Sequence, residues 1–221
     1  MRKKEKTVKK KKNVLNRLLL CIILVGLVFL AYFVYTNFFK KNGPVDAPKV
    51  VDEIKSFNYV VSENDTKLFK DTFNELKKVL SAKEVDKKAY AETISKLFVI
   101  DFFTLGNKTS KNDVGGVQFV FSSYKSDFVD YARDGIYKQV SNSIGEKKNN
   151  DLPVVSKVEI TKTEEVSPAS VFSSIGFGED AIGFDVTINW EYENGSDFQK
   201  STTLTIVSDN DKLSIAKMTE E

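Results

Sequence analysis

Residues 184–206 run FDVTINWEYENGSDFQKSTTLTI. Phe184, Val186, Ile188, Trp190 and Tyr192 alternate with Asp185, Thr187, Asn189, Glu191 and Glu193. Successive strand side chains point to opposite faces, so this period of two predicts a strand with one dry and one wet face. Asn194-Gly195 is a hairpin signal, because both residues tolerate the positive φ of a tight turn. Phe198, Thr202, Leu204 and Ile206 then continue on a return strand. Upstream, VVSKVEITKTEEV (154–166) predicts an earlier strand. Ser208-Asp209-Asn210-Asp211 turns the chain into a later one, KLSIAKM (212–218). The C-terminal third is therefore an antiparallel meander.

Before Pro153 the apolar period is helical. IKSFNYVVS (54–62) is rich in aromatic and β-branched residues and predicts a strand or an extended segment. Asn64-Asp65-Thr66 offers an N-cap to a helix over 66–80, with Leu68, Phe69, Phe73, Leu76, Val79 and Leu80 on one face. Asp86 caps a second helix bearing Tyr90, Ile94, Leu97, Phe98, Phe102 and Leu105. The loop NKTSKND (107–113) follows, and VQFVF (117–121) fits strand or helix equally. Tyr124, Phe128, Tyr131, Ala132, Ile136, Val140 and Ile144 predict a third helix, ended by Gly145. Helices followed by a strand meander mean an α+β domain over 54–221, with about three helices packed on a curved antiparallel sheet.

The N-terminal part is different in kind. Residues 1–17 carry nine Lys or Arg against Glu5, a net of +8. LLLCIILVGLVFLAYFVY (18–35) has no charge, and Thr36-Asn37-Phe38-Phe39 extends it to Lys40-Lys41. At about 1.5 Å per residue, 18–39 spans roughly 33 Å as a helix, which matches a hydrocarbon core of about 30 Å. Arg17 on one side and Lys40 and Lys41 on the other flank this expected transmembrane helix. The excess of basic residues places 1–17 in the cytoplasm and the rest of the chain outside it. A cleaved signal peptide would end in small residues; here the end is Ala31-Tyr32-Phe33-Val34-Tyr35, which favours an uncleaved anchor. Residues 40–53, with Pro44 and Pro48, read as a short stiff linker. The overall charge of +2 is thus an average of a basic tail and a 42–221 body at −8.

Composition narrows the chemistry. The chain has no His and one Cys, Cys21, within the apolar run. It lacks the commonest general base and metal ligand, and it can form no internal disulfide. No motif implies a cofactor. Gly115-Gly116 lacks the Gly-Lys-Ser/Thr of a phosphate loop and reads as a turn or a close helix contact. Glu191, Glu193, Asp209 and Asp211 lack calcium-loop spacing. The N-terminal lysines are not interleaved with aromatic residues, so they point to anionic lipid heads and not to nucleic acid. Thirty of the thirty-three basic residues are Lys, a bias of AT-rich genomes. With a cysteine-free outer body, this points to a Gram-positive-type bacterium.

The element order over 54–218 (a strand, about three helices, four antiparallel strands) resembles the nuclear transport factor 2-like, or cystatin-like, α+β fold. A basic tail, one span and one such domain outside resemble the bitopic assembly subunits of type IV secretion and conjugation machines. That resemblance implies a scaffold whose domain contacts other membrane or cell-surface subunits and further copies of itself. KLFVIDFFTLGNKTSKNDVGGVQFVFSSYKSDF (96–128) also resembles segments of uncharacterised membrane-anchored proteins of low-GC Gram-positive bacteria.

Two sets of residues are candidate sites. Asp101 follows Leu97 by four residues and Ile94 by seven, at the edge of their apolar stripe. Partial burial there would raise its pKa. With hydroxyls from Tyr90, Tyr124, Tyr131 and Tyr137, Asp101 would be a general base in a small pocket. The alternative is a helix-edge carboxylate hydrogen-bonded to a loop, a Tyr or a Lys. The second set is in SPASVFSSIGFGEDAIG (167–183), long for a strand connection. Phe172, Ile175 and Phe177 either fold back over the sheet or form a partner-binding or oligomer-forming surface.

Overall fold

The computed structural model describes residues 26–33, 48–140, 151–168, 172, 181–193, 197–209 and 212–220. The chain divides into two units, residues 1–46 and 47–221. In the first, residues 26–33 form helix α1, on which Leu27, Val28, Phe29, Leu30, Tyr32 and Phe33 are all exposed. Among the described residues no helix is long and apolar enough to cross a membrane. Arg17, Cys21, Lys40 and Lys41 lie outside the described residues.

The second unit is α+β. It begins with strand β1 (Val50–Ile54), which pairs antiparallel with β2 (Tyr59–Ser62) as a separate two-stranded sheet. This corrects two expectations. Residues 54–62 are not one strand, and the folded body starts ahead of residue 54, taking in residues 48–53 of the expected linker. The reversal comes from a 3₁₀ turn at Lys55–Phe57 ended by Asn58 in the left-handed region, φ 53°. Asn tolerates that conformation without the Gly or Pro that marks most turns.

Helix α2 (Lys67–Leu80) is capped by Thr66, whose side chain accepts a hydrogen bond from Phe69 N at 3.2 Å. It buries Phe69, Phe73 and Leu76. Helix α3 (Lys87–Phe103) starts at Asp86, which accepts from Lys88 N and Ala89 N. Eleven of its seventeen residues are buried. A helix apolar nearly all round must be surrounded, and α3 packs on α2 and on the large sheet.

That sheet has the order β3-β4-β5-β6: β3 (Val155–Val166), β4 (Gly183–Tyr192), β5 (Ser201–Asp209) and β6 (Lys212–Glu220), all antiparallel. The alternation along β4 is the one its sequence predicts. Phe184, Val186, Ile188, Trp190 and Tyr192 are buried, and Asn189 and Glu191 are exposed. Phe103 of α3 meets Trp190 at 4.4 Å between ring centroids, which joins the central helix to the dry face. The register shifts after Val155, Ile160 and Thr205.

The third predicted helix is shorter than its period implies. Helix α4 (Lys125–Asp134) stops at Gly135, and Ile136–Gln139 continue as a 3₁₀ turn. Residues 141–150, including Ile144 and Gly145, lie outside the described residues. Tyr131, expected on the buried stripe, is 80% exposed, whereas its neighbour Ala132 is buried. VQFVF resolves as a 3₁₀ turn (Val117–Phe119) followed by a parallel bridge from Val120 to Ile215 of β6.

Candidate functional site

Asp101 sits in the last turn of α3, next to the polar loop that follows it. Both carboxylate oxygens are engaged. Oδ1 accepts from Lys108 Nζ at 2.5 Å and Oδ2 accepts from Gly116 N at 2.7 Å. The Tyr137 hydroxyl sits beside this pair, donating to Phe102 O at 2.8 Å and accepting from Gly115 N at 2.9 Å. Gly115 lies so close that an added Cβ would be 2.2 Å from Asp101 O. Gly116 adopts φ +76°, beside the Phe98 ring. The Gly-Gly pair is thus a close helix contact that lets the loop fold back onto the end of α3.

Lys108 is only 6% exposed. Burial works to strip its proton, but the Asp101 carboxylate, aided by Tyr137 and Asp113, outweighs this and holds Lys108 above the usual lysine range. Burial also pushes the Tyr137 hydroxyl well above the ordinary tyrosine value. The arrangement keeps the ammonium and the phenol protonated.

This cluster forms one wall of a polar cavity of about 230 Å³. The other walls come from β2, the turn into α2 and the loop after α3, which bring in Asp65, Asn107, Asp113 and Gln118. Gln118 holds the hairpin in place: its Oε1 accepts from Val60 N at 2.8 Å and its Nε2 donates to Val60 O at 3.2 Å. Asp65 accepts from Ser62 N at 2.7 Å through Oδ2. Burial pushes the Asp65 carboxyl up; the Ser62 amide opposes this, and the Asp101 charge adds to it. Asp113 Oδ2 accepts from Thr109 N and Oγ1. Asn107 donates through Nδ2 to Asn64 O at 3.1 Å, while its Oδ1 is buried with no hydrogen-bond partner. Among the described residues no group of three or more His, Cys, Asp or Glu could hold a metal ion.

The tyrosines expected around Asp101 are dispersed, with the exception of Tyr137. The Tyr90 hydroxyl is 2.8 Å from that of Tyr59, and Tyr59 also donates to Leu213 O at 3.2 Å. Tyr124 and Tyr131 line a separate apolar groove of about 360 Å³ with Phe98, Phe128, Ile215 and Met218. The structure therefore does not assemble a carboxylate with several phenols in one pocket. The partner it does supply, Lys108, belongs to the loop 107–113. Its one signal is the spacing of seven residues from Asp101 across a helix end. In the other candidate set, Phe172 N donates to Pro168 O at 2.8 Å. Ile175 and Phe177 lie outside the described residues.

Comparison with protein-family models, with curated proteins and with solved structures finds no match to this chain.

Proposed function

We propose that the chain is a single-pass membrane protein whose α+β body acts outside the cytoplasm as an interaction or scaffold module. The observation that carries this reading is helix α1. Its large side chains are apolar and exposed on every side, within an uncharged run preceded by a +8 tail. A helix apolar all round needs a solvent of its own kind, and lipid supplies it. The basic tail then faces the anionic cytoplasmic leaflet, and the −8 body presents its surface to other membrane or cell-surface proteins.

The finer reading is a nuclear transport factor 2-like domain, with helices on a curved sheet, serving as an assembly subunit of a secretion or conjugation machine. The sequential β3-β4-β5-β6 order, the register shifts and the packing of α3 on the sheet support it.

The test uses the full chain with Cys21→Ser and a single new thiol, Lys83→Cys, at an exposed position of the body. A membrane-impermeant maleimide added to intact cells should label Cys-substituted position 83 before lysis, and the protein should resist alkaline carbonate extraction from membranes. Labelling only after lysis, or release by carbonate, would overturn the anchored, outward reading.

A further inference from the structure

We infer that the outer edge of β3 pairs with β3 of a second copy of this chain, antiparallel, so that two four-stranded sheets join into one. This deepens the reading of the body as an interaction module and rests on it. β3 is an outer strand of its sheet and, at twelve residues, the longest of the described strands. β4 occupies one edge of it. No described residue hydrogen-bonds to its backbone along the other edge between Ser156 and Val166. An open strand edge offers a row of N–H and C=O groups that another strand can pair with. The other outer strand, β6, is partly covered, because Val120 bridges it at Ile215.

The charges on β3 select a second copy as the occupant. Lys157, Glu159, Lys162 and Glu164 stand opposite Glu191, Asn189, Thr187 and Asp185 of β4, so all four lie on the wet face. The register shift between Ile160 and Lys162 is the reason, since residues 159 and 162 would otherwise point to opposite faces. All four side chains are exposed. Two-fold pairing centred between Ile160 and Thr161 sets Lys157 opposite Glu164 of the second copy, and Glu159 opposite Lys162 of the second copy. Symmetry repeats each contact. Opposite charges directly across an antiparallel pair stabilise it, and like charges destabilise it. Sliding the copies by two residues opposes Lys157 to Lys162, or Glu159 to Glu164, so this register alone pairs all four. The remaining charge, Glu165, faces Ser156. On the dry side Val158 faces Thr163. Charges that guard an edge against pairing do so by repelling a copy; β3 alternates in sign and complements itself. Within one chain Lys157 already meets Glu159 at 3.7 Å and Glu191 at 3.0 Å, and Lys162 meets Glu164 at 2.8 Å. Exposed pairs of this kind contribute little by themselves, and a second copy extends them into a network. With two Lys against three Glu on β3, the −8 body meets its copy at a nearly neutral edge.

The experiment uses the full chain with Cys21→Ser, reconstituted into phosphatidylcholine vesicles over a range of protein-to-lipid ratios. Thr161→Cys, beside the two-fold centre, should be cross-linked to a dimer by a short bis-maleimide. Thr219→Cys, exposed on β6 at the opposite edge of the sheet, should not. Lys162→Glu or Glu159→Lys, added to Thr161→Cys, should each weaken dimerisation about tenfold, because each sets like charges across the two-fold twice. Combining Lys162→Glu with Glu159→Lys should restore the dimer. Within one chain that combination sets like charges beside Glu164 and beside Lys157, so only the contact between copies improves. Circular dichroism checks folding, and either single variant with the double one carries the test. Absence of a dimer from Thr161→Cys, cross-linking of Thr219→Cys in its place, or a folded double variant that stays monomeric would overturn the pairing. A chain that floats with the vesicles yet gives no dimer loses the pairing and keeps its anchor. A chain that cross-links without floating loses the anchor and keeps the pairing.

Discussion

Lys108 and Asp101 form an ion pair at 2.5 Å, with side chains only 6% and 13% exposed. It joins the end of the central helix α3 to the loop that follows. Gly116 N completes the carboxylate's coordination at 2.7 Å. The pair holds the Asp101 carboxylate against the loop and shapes the wall of the polar cavity.

Removing the cation alone should be costly. Lys108→Met leaves Asp101 buried without its counter-charge, for which about 3–5 kcal/mol is typical. The double variant Lys108→Met with Asp101→Asn should recover most of that loss, because no charge is then stranded. Urea unfolding of the two single variants and the double variant measures the coupling. Additive losses would show that the pair does not act as a unit.

Alkaline pH should unfold the body. Lys108, Tyr59 and Tyr137 all have folded pKa values raised above their ordinary values of 10.5, 10.0 and 10.0. Above about pH 10 the unfolded chain loses these protons while the folded chain keeps them. The folded state then binds more protons, so stability falls as pH rises. Urea midpoints measured from about pH 8 to about pH 11 should drop, and Tyr137→Phe should flatten the drop. A midpoint that is level across this range would contradict the assignment.

Asp65 has the opposite sense from a stabilising carboxylate. Its folded pKa lies above the ordinary 3.8, chiefly through burial. Between 3.8 and that raised value the folded state binds more protons than the unfolded state, so stability falls as pH rises through the window. The ionised group is therefore unfavourable at neutral pH. Asp65→Asn keeps an oxygen for Ser62 N and should raise the melting temperature at neutral pH, with the gain vanishing in acid. A lower melting temperature at neutral pH would refute this.

Gly115 tolerates no side chain. A Cβ there would stand 2.2 Å from Asp101 O, a contact with backbone that cannot swing aside. Gly115→Ala should destabilise the body by about 1–3 kcal/mol, as forced overpacking does. It should also shift the amide resonances of Asp101 and Gly116. Thermal unfolding and an amide spectrum check both effects.

Local rules made much of the fold legible. Asp86 and Thr66 announce helix starts because their side-chain oxygens satisfy amides that the helix cannot. The alternation from Phe184 to Tyr192 announces the central strand β4 because side chains on a strand alternate by geometry. The β1–β2 hairpin was hidden because its reversal uses Asn58, which carries a weak turn signal. The early stop of α4 was hidden because Gly135 alone interrupts an apolar period that continues beyond it.

The candidate site was legible only in part. Asp101 stands out because an acid at the edge of an apolar stripe is conspicuous in one dimension. Its partner does not, since Lys108 sits in a run of polar loop residues that resembles any solvated turn. Charge segregation, helix starts and strand period depend on neighbours in the chain, so the order of residues is enough to read them. The burial of Lys108 against Asp101, the joining of Asp65, Asn107 and Asp113 around one cavity, and the separation of Tyr90 from Tyr124 and Tyr131 depend on contacts between segments distant in the chain or brought together by a loop. These emerge on folding, because burial, and with it the strength of every charge and hydrogen bond, is set by what the rest of the chain packs against them.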